Sequence, residues 1–196
     1  MTSLAPWRSP LARALHRNRS LAYARYFQLA TVRADGAPAN RTVVFRGFSD
    51  RTELSNTLKM ITDQRSQKIP QLGADQRAEA RWYFPKTREQ FRLAGTVKAV
   101  TDDSIVERDH WERSITWQNL SDAARLQFAW PNPGDRRADT SAFSPAPPDP
   151  QAPPSTFVLL YLMPEQVDWL NLRGEPQNRV IYCSDAGEWQ EQAVNP

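Results

Sequence analysis

YFQLATVRADGAPANRTVVFRGF (26–48) holds two β-rich runs, YFQLATVR (26–33) and NRTVVFRGF (40–48), about a short turn containing Asp35-Gly36. That pattern reads as an antiparallel hairpin. Outward from it, SDRT (49–52) is a second turn and ELSNTLKMIT (53–62) a third strand of weaker propensity. QRSQKIPQL (64–72) reads as a short helix ending near Gly73. RAEARWYF (77–84) alternates as a fourth strand. EQFRLAGTVKAVT (89–101) is a long fifth strand, with Gly95 as a bulge or bend point. Five strands in sequence with short turns predict a mainly β fold, an antiparallel barrel or meander with peripheral helices.

Beyond Thr101 the pattern changes. Residues 102–130 lack strand alternation and read as helix, broken near Asn119 and restarted with Ser121 or Asp122 as cap. Trp111, Ile115 and Gln118 share one face, and Leu126, Ala129 and Trp130 another. Residues 131–155 hold half of the sixteen prolines, which excludes helix and central strand and leaves a surface loop or mobile segment. Strands resume at TFVLLYLMP (156–164), QVDWLNL (166–172), NRVIYCS (178–184) and EWQEQAV (188–194). The proline-rich stretch lies between strands of one expected sheet, so the expectation is a single domain over 1–196. At the start, Arg8, Arg13, Arg17, Arg19, Arg25 and Arg33 precede the first acidic residue, Asp35. Such a start suits a transit peptide. The favoured, ordinary reading is an amphipathic helix from Ser9 to about Asn18, with Ser9 as N-cap, Pro10 at the first helical position, and Leu11, Ala14 and Leu15 facing a core.

The 196 residues are 40% apolar and 24% charged, which is globular composition. One cysteine, Cys183, excludes an internal disulfide framework and a multi-cysteine zinc site. Two histidines, His16 and His110, argue against a histidine-based metal centre. No run approaches the roughly 18 apolar residues of a membrane span. The net charge is +3 and the pI about 9.2, mild evidence for an anionic ligand. GxGxxG, P-loop, GxSxG and HExxH patterns are absent, and with seven glycines a glycine-cradled phosphate is disfavoured. A bound anion must then be held by cationic side chains.

Four features carry candidate chemistry. The strand RTVVFR (41–46) sends Arg41, Val43 and Phe45 one way and Thr42, Val44 and Arg46 the other. Thr62 ends the next strand, and RSQK (65–68) opens a helix suited to a phosphate through Arg65, Ser66 and Lys68. Gln90 on the fifth strand offers an amide to a heterocycle edge. Trp169 and Arg179 lie ten residues apart on strands joined by a Gly-Glu-Pro turn. Each alone has an ordinary explanation: arginines on antiparallel strands are commonly solvated cross-strand partners, RSQK is a common helix start, and a tryptophan is core. Their order and spacing give them joint weight.

In that order and spacing the chain resembles the pyridoxamine 5′-phosphate oxidase-like, FMN-binding split barrels, from about Tyr26 to the C-terminus. RTVVFR matches the family's R-x-V-hydrophobic-hydrophobic-K strand, with Arg46 for the final Lys. ITDQRSQK keeps Thr62, Ser66 and Lys68 of its aromatic-Thr…S-R-K pattern, with Ile61 for the aromatic residue and Gln67 for the Arg. Its strand glutamine falls at Gln90, five before the shared Gly95, and its late Trp and Arg at Trp169 and Arg179. APWRSPLARALHRNRS and SDAARLQFAWPNPG resemble a cyanobacterial and plant-type subgroup.

The resemblance implies a homodimer with one FMN in each of two interfacial clefts, a small-molecule substrate and a cytoplasmic location. Lys68, Arg41, and Ser66 or Thr62 are the implied phosphate ligands, with Arg65 compensating for Gln67. Gln90, Trp169 and Arg179 would address the flavin ring from the partner or the cleft wall, with Arg179 as the cation favouring the reduced flavin. The implied activity is FMN-dependent oxidoreduction, with hydride passing to flavin N5. The alternatives are a non-catalytic flavin-binding or flavin-sensing module and, against the scattered basic residues, an RNA-binding barrel. On the substrate side, Arg46, and Arg113 or Arg125, are the candidate cations. The family's phosphate-gripping Arg and His fall at Glu175 and Gln177, and a carboxylate there repels a phosphate.

Overall fold

The computed structural model describes residues 4–196; residues 1–3 of the expected span lie outside the described residues. Eight strands form one antiparallel sheet: β1 (Tyr26–Val32), β2 (Pro38–Val44), β3 (Leu58–Asp63), β4 (Arg77–Phe84), β5 (Glu89–Val100), β6 (Phe157–Asn171), β7 (Asn178–Asp185) and β8 (Glu188–Val194). Helices are α1 (Arg8–Asn18), α2 (Lys68–Ala74), α3 (Glu107–Gln118) and α4 (Asp122–Leu126). The strand order is β2-β1-β4-β5-β6-β7-β8, with β3 also paired to β6.

The long strand β6 produces the split. Its first half, 157–162, pairs with β3, and its second half, 166–171, pairs with β7, while β5 runs beside both. Beyond β2 the chain hydrogen-bonds to β3, from Arg46 N to Lys59 O at 2.9 Å and from Lys59 N to Gly47 O at 2.8 Å. These bonds close β2-β1-β4-β5-β6-β3 into a barrel and leave β7-β8 as a ribbon, which removes two sheet edges. This is the antiparallel split barrel expected from the sequence.

Alternation fills the barrel. Phe27 and Leu29 of β1, Val43 of β2, Ala80, Trp82 and Phe84 of β4, Phe91 and Leu93 of β5, and Leu160 and Leu162 of β6 are buried together. Trp82 packs against Phe27 and Phe45 and donates its indole N–H to Ala24 O at 2.9 Å. Burying the ring with its one polar atom satisfied retains the full apolar gain.

Several local expectations change. TFVLLYLMP and QVDWLNL form one strand of 15 residues, not two. Pro164 sits at a bulge, where the register against β5 shifts between Ala94 and Gly95, so its missing N–H breaks no ladder bond. Gly95 is required opposite: a Cβ there would lie 2.0 Å from Met163 O. The third strand starts only at Leu58, because Thr52–Leu54 is a 3₁₀ turn. Helix α1 starts at Arg8 with Trp7 as its cap residue and no side-chain cap bond, so Ser9 is not the N-cap. Trp7 is fully buried and sets that start, and Leu11 and Ala14 dock on the core as expected. Ser121 does cap α4, accepting from Ala124 N.

Helix α3 buries Asp109, Glu112, Arg113, Thr116 and Trp117 and leaves Trp111 exposed. The face containing Trp111 is therefore not its core face. The proline-rich segment is tied down: Trp117 Nε1 donates to Asp149 O at 2.9 Å, and Arg113 Nη2 donates to Pro154 O at 2.7 Å.

Candidate functional site

The outer face of β1 and β2, the turn from β3 into α2 and the first part of the proline-rich segment enclose a cavity of about 730 Å³. Small-molecule sites commonly span roughly 300–1,000 Å³. Strand period builds one wall: Tyr26 lies opposite Val44 and Gln28 opposite Thr42, so Tyr26, Thr42 and Val44 face out of the barrel. Strand β3 delivers Ile61, Thr62 and Asp63. A turn closed by Ser66 N to Asp63 O at 3.0 Å then sets Ser66 and Lys68 beside them. Helix α2 begins only at Lys68 and has seven residues, so RSQK is a turn leading into a helix and not a helix start. Side chains, not a helix dipole, are the donors here.

Lys68 Nζ donates to Ser66 Oγ at 2.9 Å and forms no ion pair among the described residues. Burial, and next the charge of Arg41, lower its pKa from the ordinary lysine value, against a smaller raising effect of Asp63. Arg46 also lines the cavity, and its Nε is buried with no hydrogen-bond partner. Burial, and then Arg25, hold its pKa below the ordinary arginine value. A buried guanidinium N–H is costly unless something accepts from it. Lys68 and Arg46 are thus desolvated cations without a carboxylate, which suits an anion bearing several acceptor oxygens.

Arg65 has a different role from the expected one. Its Nε and Nη2 bind Asp63 at 2.9 and 2.7 Å; Nη1 donates to Trp130 O at 2.9 Å and Asn132 Oδ1 at 3.1 Å, and Nη2 also to Phe128 O at 3.2 Å. With five donor hydrogens in use, it fastens the proline-rich segment to the β3–α2 turn and has none left to replace the cation lost at Gln67. Gln67 itself is exposed and outside the cavity lining.

Arg41 lies on the inner side of β2. It donates to Thr31 Oγ1 at 2.6 Å and Gln71 Oε1 at 2.9 Å, which places it behind Lys68 and not in the cavity lining. Phe45 is buried among Phe48 and Trp82, so its side chain belongs to the core. Val43 is buried on the same side, packed in the core, and also borders the cavity.

A second group of expected residues lies elsewhere on the protomer. Gln90 and Arg179 both align with Leu170 and share the outer face of the sheet. Gln90 Oε1 accepts from Arg81 Nε at 3.1 Å, and Arg179 binds Asp168 at 3.0 and 2.8 Å. Trp169 points to the opposite face, stacked on Phe91 with its Nε1 donating to Glu89 Oε1 at 3.2 Å. The ten-residue spacing therefore does not bring Trp169 and Arg179 together.

Arg113 and Arg125 are buried on carbonyl oxygens, Arg113 on Phe157 O at 3.0 Å and Arg125 on Leu120 O at 2.6 Å. They stitch loops and stand outside the cavity lining, so neither is a free cation. Glu175 and Gln177 lie in the β6–β7 turn, also outside that lining.

Sequence reasoning missed the third wall: Phe128, Trp130 and the stretch from Pro131 to Ala138, with Arg136 and Arg137, line the cavity. The available signal was WPNPGDRR (130–137), where an aromatic residue and two arginines interrupt a proline-rich run.

The sequence family described as pyridoxamine 5′-phosphate oxidase, FMN-binding domain, matches residues 4–101. Pyridoxine/pyridoxamine 5′-phosphate oxidase 2 of Arabidopsis thaliana is 36% identical over 201 aligned positions, 100% of this chain and 99% of that protein. A crystal structure of a pyridoxamine 5′-phosphate oxidase-related, FMN binding protein from Nostoc punctiforme is 56% identical with a TM-score of 0.95, covering 99% of this chain and 100% of that one. PhzG from Burkholderia lata, at 19% identity and a TM-score of 0.78 over 99% of this chain and 94% of its own, shares the fold.

Proposed function

The chain belongs to the pyridoxamine 5′-phosphate oxidase family of FMN-binding domains, and from that premise we propose that it binds FMN and acts as an FMN-dependent oxidoreductase on a small molecule. The observation that carries this reading is the pair of desolvated cations, Lys68 and Arg46, facing one cavity with no carboxylate of their own. When bound, FMN supplies a two-electron acceptor for hydride. The rest falls to the chain. Lys68, with the hydroxyls of Ser66 and Thr62, holds the phosphate through charge-assisted hydrogen bonds. Arg41, behind Lys68, raises the local positive potential without spending a donor in the cavity. The orphaned Arg46 Nε gains an acceptor from flavin or substrate. Tyr26, Val44, Ile61 and Phe128 give the ring an apolar wall that excludes water.

Gln90 and Arg179 belong to this reading only in a homodimer. Both face outward on a sheet surface that also carries Tyr83 and Leu170, so a second copy docked there would bring an amide and a cation to the cleft. No helix is long and apolar enough among the described residues to cross a membrane.

The test is direct. The purified full-length chain should be yellow, absorbing near about 450 nm as flavins do, and the extracted chromophore should co-migrate with FMN. FAD, or no flavin after reconstitution, overturns the reading. Turnover against a panel of amines, alcohols and reduced nicotinamides then separates an oxidoreductase from a non-catalytic flavin module.

A further inference from the structure

The β3–α2 turn serves both walls of the cavity with neighbouring residues. Ser66 and Lys68 line the cavity, while Arg65 reaches across to the proline-rich segment. Arg65 donates from Nη1 to Trp130 O at 2.9 Å and Asn132 Oδ1 at 3.1 Å, and from Nη2 to Phe128 O at 3.2 Å. The Asp63 carboxylate holds the guanidinium in that pose at 2.9 and 2.7 Å and also accepts from the Arg65 backbone N–H at 2.8 Å. The Asp63 carbonyl oxygen accepts from Ser66 N at 3.0 Å, so one turn carries the phosphate donors and the tether together.

The segment depends on that tether. Phe128 packs against Trp117 and Phe157, and Asp149 O accepts from Trp117 Nε1. Between those anchors lie residues 129–148. Among the described residues, their hydrogen bonds to the rest of the fold are the two from Arg65, besides a local bond from Trp130 N to Gln127 O. Further contacts are internal to the segment: Phe143 stands edge-on to Trp130 at 5.6 Å, and the Arg137 guanidinium sits 4.2 Å from the Phe143 centroid. Residues 132–137 are all exposed. A stretch with so few bonds to its surroundings opens locally at low free energy.

We propose that Arg65 is a positioning residue that couples the two walls: a flavin phosphate on Ser66 and Lys68 orders the proline-rich segment through Arg65, and the ordered segment in turn tightens FMN binding. The proposal rests on the FMN reading above. Its two states are the segment tethered to the turn and the segment released from it. A bound phosphate fixes the backbone from Asp63 to Lys68, which leaves less entropy to be lost when the tether forms. Coupling of this kind is reciprocal between the sites. Asp63 neutralises Arg65, so the contribution of Arg65 is mechanical rather than electrostatic.

The test uses the full-length chain, stripped of flavin and titrated with FMN by flavin fluorescence, which judges the cofactor reading by itself. Order in the segment is read as the rate of trypsin cleavage after Arg136 and Arg137, assigned by fragment mass, because cleavage of a native chain follows the population of its locally open form. Coupled sites commonly change each other roughly 5- to 150-fold, so saturating FMN should slow this cleavage about fivefold or more in the wild type. In Arg65→Gln, cleavage should be faster without flavin, FMN should change it less than about twofold, and FMN should bind more weakly by the factor of protection lost. The ratio of rates with and without FMN is decisive: a merely structural tether would raise both rates and leave the ratio intact. Arg65→Lys, which keeps a cationic donor for the carbonyls, should restore part of the ratio. Asn132→Ala, which removes one acceptor and leaves the turn untouched, should lower it in part, and it carries the test if Arg65→Gln folds poorly. A wild-type ratio near one, or a ratio unchanged in Arg65→Gln and Asn132→Ala, overturns the proposal while FMN binding stands as titrated. A wild type that binds no FMN overturns the cofactor reading, and the coupling with it.

Discussion

Lys68 carries a weakly compensated charge in the site: partly buried, near Arg41, with one serine hydroxyl as its hydrogen-bond partner. Its folded pKa is lowered, so the charged form is disfavoured in the empty fold. Its charge is therefore a cost to folding at neutral pH, a cost relieved as pH rises through the lowered pKa toward the ordinary lysine value. Lys68→Ala should accordingly fold at least as well as wild type. It should nonetheless lose about 1.5–3 kcal/mol of flavin binding, roughly 10- to 150-fold, through one charge-assisted contact. A fluorescence titration showing unchanged affinity would place the phosphate elsewhere. The same residue sets a pH slope. Above about pH 7 a phosphate monoester is mainly dianionic, so flavin affinity should fall on the alkaline side as Lys68 deprotonates, earlier than an ordinary lysine would. The slope should flatten in Lys68→Ala, and an equal slope in both proteins would assign it to another group. Lys68, Ser66 and Thr62 were legible because three donors crowd into seven residues. The role of Arg65 was not, since its carbonyl partners lie 63 and 65 residues away and only the fold brings them near.

Among the elements, α3 departs most from its sequence pattern. A helix is read by its apolar stripe, yet α3 docks through carboxylates. Glu112 accepts from Tyr161 Oη at 2.7 Å and Ser49 Oγ at 3.0 Å and pairs with Lys59 at 3.1 Å, while Asp109 binds Arg51 and Lys98, both at 2.6 Å. Burial, and then its hydrogen bond to Glu112, raise the Tyr161 pKa above the ordinary tyrosine range. No hydrophobic periodicity announces such a face, because its partners come from β3, β5, β6 and the segment between β2 and β3. Breaking one side leaves a buried charge alone, so Glu112→Ala should cost about 3–5 kcal/mol in urea unfolding. A loss below about 1 kcal/mol would show that water or Asp50 takes over Lys59. The strands were far more legible. Alternation in 26–33 and 77–84 reports two faces, and Gly95 marked a bulge correctly. Strand β6 was split in reading because Pro164 resembles a terminus, whereas the bulge beside Gly95 accommodates it.

At the scale of the whole molecule, the described chain exposes 11330 Å². A compact monomer of this mass exposes about 9,400 Å². The excess exceeds the roughly 800 Å² that each partner gives to a standard interface. Part of it is the outer sheet face, where Tyr26 and Tyr83 are 46% and 37% exposed beside Leu170, Gln90 and Arg179. An outer face carrying aromatic residues and candidate site residues is what a two-fold dimer with shared clefts requires. Light scattering of the flavin-loaded chain should give twice the 22.4 kDa chain mass. A single chain mass would leave Gln90 and Arg179 without a flavin to address. The outer sheet face was legible only as alternation: sequence shows which residues point outward, and a second surface is needed to say what covers them.

The central claim is that a single flavin phosphate is seated on Lys68, Ser66 and Thr62 beside Arg46. A paired titration of the flavin-free chain with FMN and with riboflavin, which lacks only the phosphate, tests it most directly. FMN should bind at least tenfold tighter than riboflavin, as expected for one or more charge-assisted contacts. Equal affinity for the two, or binding of neither, would contradict it.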